Sequence, residues 1–197
     1  MKYSKVKEPE FVQNGSTRVF DKNFKEIFSS QVVSVIGGLI VGSIIAIHTE
    51  RMLLIPGMLI LLPGFLEMRG NISGSFASRL SSGLFLKVIK PNKINTKIIR
   101  GNLAASFLQV IIVSLALGLI AFLFNFLALH ILTPRIILIP VIAAIIANIV
   151  EIPLTLFTTF YLFKKGHDPN NIMGPFVTST GDVTSTVALL IALVVLL

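Results

Sequence analysis

The chain has 197 residues, of which 54% are hydrophobic and 13% are charged, and it contains no cysteine. Soluble domains carry about 25% charged residues, so the composition excludes an ordinary soluble domain, and this much apolar surface also excludes a disordered chain. The lack of cysteine excludes disulfides, thiolate metal sites and a cysteine nucleophile. The formal net charge is +8, but the basic residues lie in short segments between long apolar runs. That distribution is typical of a membrane protein, and we expect no nucleic-acid partner.

Residues 1–28 form a polar tail that carries six lysines and arginines. Within it, Phe20, Phe24 and Phe28 recur at helical spacing, with charged residues on the other faces. This pattern predicts a short amphipathic helix that lies on the membrane surface or packs beneath the rest of the protein.

Five apolar segments follow the tail. A helix needs about 20 residues to cross roughly 30 Å of hydrocarbon. The segments are residues 29–47, 52–86, 102–132, 134–163 and 172–197. The second is longer than the bilayer is thick, so we expect its end to project into water. The sequence therefore predicts an all-α polytopic membrane protein with five transmembrane helices per chain, in which residues 29–197 form one transmembrane domain.

The basic residues also predict the orientation of the chain. Thirteen lysines and arginines lie in the tail and in the connections after the second and fourth segments, whereas only Arg51 and Arg135 lie in the connections on the opposite side. Cytoplasmic loops are enriched in basic residues. We therefore expect a multi-pass protein of the cell (inner) membrane, with the N-terminus in the cytoplasm and the C-terminus outside.

Three acidic residues, Glu67, Glu151 and Asp182, lie inside apolar segments. A charge at the centre of a bilayer costs about 2.5–3.5 kcal/mol on insertion scales, so such residues normally face an ion, an aqueous path or a partner. Asp182 lies near the middle of the fifth segment, on one helical stripe with Thr178, and that segment contains no basic residue. It is either an ion ligand or a protonated, hydrogen-bonded structural residue.

The other two acids allow similar alternatives. Glu67 shares a helix face with Asn71, Gly74 and Ser78, which indicates either a polar lumen or a packing seam in which Glu67 pairs with an arginine. Glu151 lies two residues before a proline, and it is either an ion ligand or a structural residue beside a helix kink.

The polar groups at membrane depth are carboxylates, amides and hydroxyls. Such hard oxygen ligands favour Mg²⁺, Ca²⁺, Mn²⁺ or Na⁺ over copper or zinc. Mg²⁺ is usually held by one or two carboxylates and keeps several of its waters. One aspartate per chain fits this ion if two chains pair, because a divalent cation removes the repulsion between two facing carboxylates.

Two stretches resemble a known family. PGFLEMRGNISGSFASRLS, residues 63–81, is similar to the second-span signature of the MgtE-type magnesium transporters, and more closely to that of their animal solute-carrier relatives. DPNNIMGPFVTSTGDVT, residues 168–184, resembles the family's fifth-span signature. The resemblance covers residues 29–197.

The resemblance implies a homodimer with a central pore on the two-fold axis, lined by the second and fifth spans. It implies that Asp182 binds a largely hydrated Mg²⁺, that Thr178 offers a backbone carbonyl, and that Asn71 is the asparagine of the Gly-Asn motif. The family often has asparagine where Gly174 stands here. Bacterial members carry large cytoplasmic sensing domains, for which we expect no counterpart in residues 1–28. The animal relatives carry two five-span halves, of which this chain resembles one.

These observations lead to one function and two alternatives. We expect a homodimeric transporter or channel for a divalent cation in the lipid bilayer, with Mg²⁺ first and Mn²⁺, Ca²⁺ or Co²⁺ as other candidates. The candidate metal ligands are Asp182, Asn71, Thr178, Glu67 and Glu151. One alternative is a Na⁺- or H⁺-coupled exchanger that uses Glu67 and Glu151, and the other is a non-transporting assembly subunit. We expect no enzyme, because the sequence has no motif of a hydrolase, metalloprotease or phosphotransferase.

Overall fold

The computed structural model describes residues 21–196, and it folds them into five long α-helices joined by short connections. The helices are α1 (Lys22–Met52), α2 (Met58–Phe85), α3 (Lys97–Ala128), α4 (Arg135–Lys164) and α5 (Pro169–Leu196). The described residues contain no strand. The prediction of an all-α protein with five helices is therefore confirmed.

Local signals in the sequence set the helix ends. Asp21 caps α1 by accepting a hydrogen bond from the backbone N–H of Phe24 at 2.8 Å. Thr96 caps α3 by accepting from the N–H of Ile99 at 3.3 Å. Both residues satisfy N–H groups that a helix start leaves without a partner. Gly57 adopts a φ of 84° in the turn before α2, a left-handed conformation that favours glycine.

Two features differ from the sequence-based expectation. The second apolar segment begins as a turn, because Pro56 and Gly57 interrupt it, so that α2 starts only at Met58. Lys22–Phe28 form the first turns of α1 and not a separate helix. The predicted amphipathic helix is thus continuous with the first span where it is described, while Phe20 and the rest of residues 1–20 lie outside the described residues.

Four of the described helices, α1, α3, α4 and α5, are long and apolar enough to cross a membrane. Helix α2 has a similar length of 28 residues but carries all three of its charged residues, Glu67, Arg69 and Arg79, away from its ends. Large apolar side chains cover the outer faces of α1 and α3, as shown by Leu39 and Ile120, which are 69% and 63% exposed. Such surfaces are expected to face hydrocarbon in a multi-pass membrane protein.

Helix α5 lies at the centre of the packing, in contact with α1, α2 and α4. Helix α3 packs against both α2 and α4. One buried apolar cluster includes Phe65, Ile139 and Leu189, and a second includes Phe76 and Phe160. This arrangement buries one face of α2 against α3 and α4 and leaves its polar face beside α5.

Candidate functional site

A cleft of about 940 Å³ opens between α2 and α5. Its polar lining includes Glu67, Asn71, Ser78, Arg79, Thr178 and Asp182. Asn71 and Asp182 are each the fourteenth residue of a 28-residue helix. At 1.5 Å per residue such a helix is about 42 Å long, more than the roughly 30 Å of hydrocarbon in a bilayer, and these two residues lie at its middle.

Small residues keep this cleft open. A Cβ placed on Gly70 would find only the Thr178 hydroxyl, at 3.8 Å, and one placed on Gly74 would find only Val177, at 4.0 Å. Gly174 has no atom within 4 Å of such a Cβ. Larger residues at these positions of α2 and α5 would project into the space between the helices.

Asp182 is half-buried in the cleft wall. Among residues 21–196, none donates a hydrogen bond to its carboxylate or forms an ion pair with it. The structural alternative for Asp182 required a hydrogen-bonded side chain, and the described part of the chain offers no such partner. Its oxygens are therefore available to a ligand in the cleft.

Glu67 and Asn71 are exposed on the α2 wall, one helical turn apart. The Asn71 amide donates a hydrogen bond to Glu67 Oε1 at 3.0 Å. This contact leaves the amide oxygen of Asn71 and the second carboxylate oxygen of Glu67 free to accept other hydrogen bonds. Glu67 has no ion-pair partner within the described residues, so it is not the arginine-paired acid of the packing-seam alternative.

Thr178 lies on the α5 wall, one turn before Asp182. Its hydroxyl donates to the carbonyl of Gly174 at 3.1 Å. The hydroxyl oxygen therefore faces the cleft as an acceptor, since its proton is already used within the helix. Thr178, Asp182, Glu67 and Asn71 are thus four predicted site residues that the structure brings together.

Glu151 occupies a different environment, behind α5. It is 2% exposed and forms an ion pair with the fully buried guanidinium of Arg69. Ser73 donates to its Oε2 at 2.9 Å, and Thr184 donates to its Oε1 at 3.1 Å. Arg69 also donates to Asn148 Oδ1 at 2.9 Å. Glu151 does not line the cleft, and the structure supports the structural alternative for this residue.

Sequence reasoning did not place Arg79 in the site. The structure puts its half-buried side chain in the cleft wall, where Nη2 donates to Ser106 Oγ on α3 at 3.1 Å. The signal in the sequence is the recurrence of Asn71, Ser75 and Arg79 at every fourth residue, since all three line the cleft. One chain therefore contributes two acids and one base to the cleft.

Within residues 21–196, no three histidine or acidic side chains lie close enough together to hold a metal ion. The oxygen donors of the cleft are instead dispersed over two helices. The cleft of a single chain offers the carboxylates of Glu67 and Asp182, the amide of Asn71 and the hydroxyl of Thr178. These are the donor types that hard, hydrated cations prefer.

Comparison with known proteins identifies the family. The family model of MgtE, described as a divalent cation transporter, matches residues 62–192. This range includes the whole cleft and leaves out α1. No curated protein and no solved structure matches the chain significantly. Because the match covers well over half of the chain and contains both walls of the cleft, the chain belongs to the MgtE family of divalent cation transporters.

Proposed function

We propose that two copies of the chain form a Mg²⁺ transporter whose ion path runs between their α2–α5 clefts. The observation that carries this proposal is the position of Asp182, which is unpartnered among the described residues and lies at the middle of α5 in a polar cleft. Two such clefts facing one another across a two-fold axis would enclose a hydrophilic path and present two Asp182 carboxylates to one ion.

The exposure of the cleft supports pairing with a second copy. Glu67, Asn71 and Thr178 are exposed in a single chain, although they lie near the middle of their helices. Polar groups at this depth are costly against hydrocarbon, and they normally face a water-filled cavity or another protein surface. A second copy of the chain covers the cleft without requiring any other partner.

The size of the cleft suits a hydrated ion. A water molecule occupies about 30 Å³, so the six waters of a hydrated Mg²⁺ occupy roughly 180 Å³. The cleft of one chain measures about 940 Å³. The ion can therefore keep most of its waters, as Mg²⁺ prefers to do. Mn²⁺, Ca²⁺ and Co²⁺ accept the same oxygen donors, and the number of waters that each ion retains would separate them.

In this mechanism the paired Asp182 carboxylates supply the negative charge that attracts the cation. The Asn71 amide oxygen and the Thr178 hydroxyl oxygen accept hydrogen bonds from its waters. The backbone carbonyl of Thr178 has a second lone pair for the same purpose, because its helical hydrogen bond uses only one. The excess of basic residues in the tail and in two of the connections supports a cytoplasmic N-terminus.

The direct test is a flux measurement with purified protein in liposomes. We expect Asp182→Asn to reduce Mg²⁺ uptake by at least tenfold, because the substitution keeps the size of the side chain and removes its charge. Glu50→Gln is the matched control, since Glu50 is an exposed acid at the end of α1, outside the cleft. Wild-type uptake by a folded Asp182→Asn protein would overturn the proposal.

The pairing is tested separately by cross-linking. The chain has no cysteine, so single cysteines can be introduced without a background. We expect Thr178→Cys to form covalent dimers in membranes on oxidation or with a short bifunctional maleimide. Ile120→Cys, on the 63% exposed outer face of α3, is the control and is expected to remain monomeric. Equal cross-linking at both positions would argue against a two-fold axis beside the cleft.

A second candidate is cation exchange coupled to Na⁺ or H⁺. The observation that favours it is the second cleft carboxylate, Glu67, since intramembrane acids commonly form relays for such ions. Uptake that depends on an imposed Na⁺ or pH gradient, and that loses this dependence in Glu67→Gln, would identify an exchanger. A protein that moves no divalent cation under either condition would be an assembly subunit.

A further inference from the structure

The two arginines of α2 have opposite surroundings. Arg69 is fully buried and forms an ion pair with Glu151, so its charge is neutralised within the core. Arg79 lies in the cleft wall and donates to the neutral hydroxyl of Ser106. Within the described residues no carboxylate pairs with Arg79. Its positive charge is therefore held in the cleft without a counter-charge of its own.

Arg79 is fixed at one level of the cleft. It follows Asn71 by eight residues and Glu67 by twelve, which corresponds to about 12 Å and about 18 Å along the helix. The hydrogen bond to Ser106 on α3 ties the guanidinium to a neighbouring helix. The low-dielectric protein walls of a cleft focus field lines, so the positive charge of Arg79 adds to the electrostatic potential within the cleft.

The formal charges of the cleft lining can then be counted. Glu67 and Asp182 are negative and Arg79 is positive, while the other lining residues are neutral. The cleft of one chain thus has a net formal charge of about −1, and two facing clefts have about −2 in total. This charge matches one divalent cation. Without Arg79 the same path would have a net formal charge of about −4, which would match two divalent cations.

We infer that Arg79 sets the ion occupancy of the path, so that the dimer holds one divalent cation at a time and holds it weakly enough to release it. This inference rests on the proposed function and adds to it a residue that determines affinity and stoichiometry. A path with too much negative charge would trap its ion, and conduction requires binding that is weak enough for the ion to leave.

The test is equilibrium binding of Mn²⁺ to the purified dimer, followed by electron paramagnetic resonance. We expect the wild type to bind one Mn²⁺ per dimer at a site that Asp182→Asn abolishes. Arg79→Gln is expected to bind Mn²⁺ at least tenfold more tightly and to accept a second ion. Arg79→Lys is the matched control, because it keeps the charge and should bind one ion with near wild-type affinity.

Charge compensation provides a second, independent variant. Glu67→Gln alone makes the cleft of each chain neutral and should weaken binding at least tenfold. The double variant Glu67→Gln with Arg79→Gln returns the net charge to about −1 per chain, so that binding should return towards one ion of wild-type affinity. A structural role of Arg79 would not produce this rescue, since the double variant also lacks the guanidinium.

The outcomes separate the two proposals. If the wild type binds one Mn²⁺ and loses it in Asp182→Asn, but Arg79→Gln binds the same number with the same affinity, the inference about Arg79 is wrong and the proposed function stands. If the wild type binds no Mn²⁺, or Asp182→Asn binds it unchanged, the proposed function fails and the inference fails with it. Should Arg79→Gln not fold, Ser78→Asp takes its place, because it brings the cleft to about −2 per chain while Arg79 stays in position. A second Mn²⁺ per dimer is then expected, and a single ion of unchanged affinity would overturn the inference.

Discussion

The carboxylate of Glu151 on α4 lies directly against Gly181 on α5, the residue that precedes Asp182. A Cβ at position 181 would overlap Glu151 Oε1, an atom that also accepts a hydrogen bond from Thr184. Because Arg69 and Ser73 hold the other oxygen of Glu151, this carboxylate cannot easily move aside. The buried ion pair thus sets how closely the backbone beside Asp182 can approach α4.

Gly181→Ala is therefore expected to destabilise the protein. The added methyl must displace Glu151 or push α5 outward, and overpacking of this kind typically costs about 1–3 kcal/mol. Thermal unfolding in detergent measures the effect. Gly42→Ala is the control, because a Cβ there meets no atom within 4 Å. Equal melting temperatures for the two variants would contradict the close approach at Gly181.

Removal of Arg69 is expected to cost more than removal of the whole ion pair. Arg69→Met leaves the Glu151 carboxylate buried without its cation, a loss of about 3–5 kcal/mol. The double variant Arg69→Met with Glu151→Gln removes both charges, while the single amide oxygen of the glutamine can still accept from Ser73. Its amide nitrogen can donate to the Thr184 hydroxyl, whose own proton can go to the Thr180 carbonyl. We expect the double variant to regain most of the lost stability. Additive losses in a double-mutant cycle would show that the two residues are not coupled.

Two adjacent glycines of α1 are expected to respond differently to alanine. A Cβ on Gly37 would overlap the Ser179 hydroxyl of α5, whereas one on Gly38 meets nothing within 4 Å. Gly37→Ala should therefore lower stability by about 1–3 kcal/mol through overpacking. Gly38→Ala should be neutral or should stabilise α1 by up to about 1 kcal/mol, because alanine favours helix. A comparison of their melting temperatures tests the contact between α1 and α5.

The contribution of Asp168 to the stability of the wild type is expected to decrease as the pH rises above the acidic range. Burial raises the pKa of Asp168 above its ordinary value of 3.8, and the negative charge of Glu26 raises it further. The backbone N–H of Asn170 donates to Asp168 Oδ1 at 2.8 Å, and this hydrogen bond lowers the pKa by less than burial raises it. Because the folded state has the higher pKa, it binds more protons than the unfolded state. The contribution of Asp168 to stability is therefore fully present below pH 3.8 and is lost as the pH rises through the folded pKa.

Asp168→Asn checks this dependence. The asparagine oxygen can still accept from the Asn170 N–H at the start of α5, but it does not titrate. We expect the difference in unfolding free energy between the variant and the wild type to shift in favour of the variant between pH 4 and pH 7. A difference that stays constant over this range would show that Asp168 does not contribute to the pH dependence.

Much of the architecture follows from the length and polarity of the segments. The five apolar runs became five helices because an α-helix satisfies its backbone groups within its own segment, as hydrocarbon requires. The polar face of α2, with Glu67 and Asn71, and the stripe of α5, with Thr178 and Asp182, follow from helical spacing. The structure brings these four residues into one cleft. The start of α2 was less predictable, since a turn at Pro56 and Gly57 can bend or end an apolar segment.

The role of Glu151 could not be settled from sequence. Helical spacing shows which residues share a face of α4, but it does not show which neighbour that face meets. The partner, Arg69, is 82 residues away along the chain, and only the packing of α2 against α4 brings the two together. For the same reason the sequence did not distinguish Arg69, which is buried in the core, from Arg79, which lies in the cleft.

The partnership of Arg69 and Glu151 also constrains how the chain enters the membrane during synthesis. Helix α2 emerges from the ribosome with a guanidinium at its middle, and the carboxylate that neutralises it is made 82 residues later. At about 5–20 residues per second, this interval lasts roughly 4–16 s. Released alone into lipid, α2 would expose a bare charge at mid-depth. Such a charge costs about 2.5–3.5 kcal/mol on insertion scales, and retention of α2 beside the insertion machinery until α4 arrives would avoid this cost.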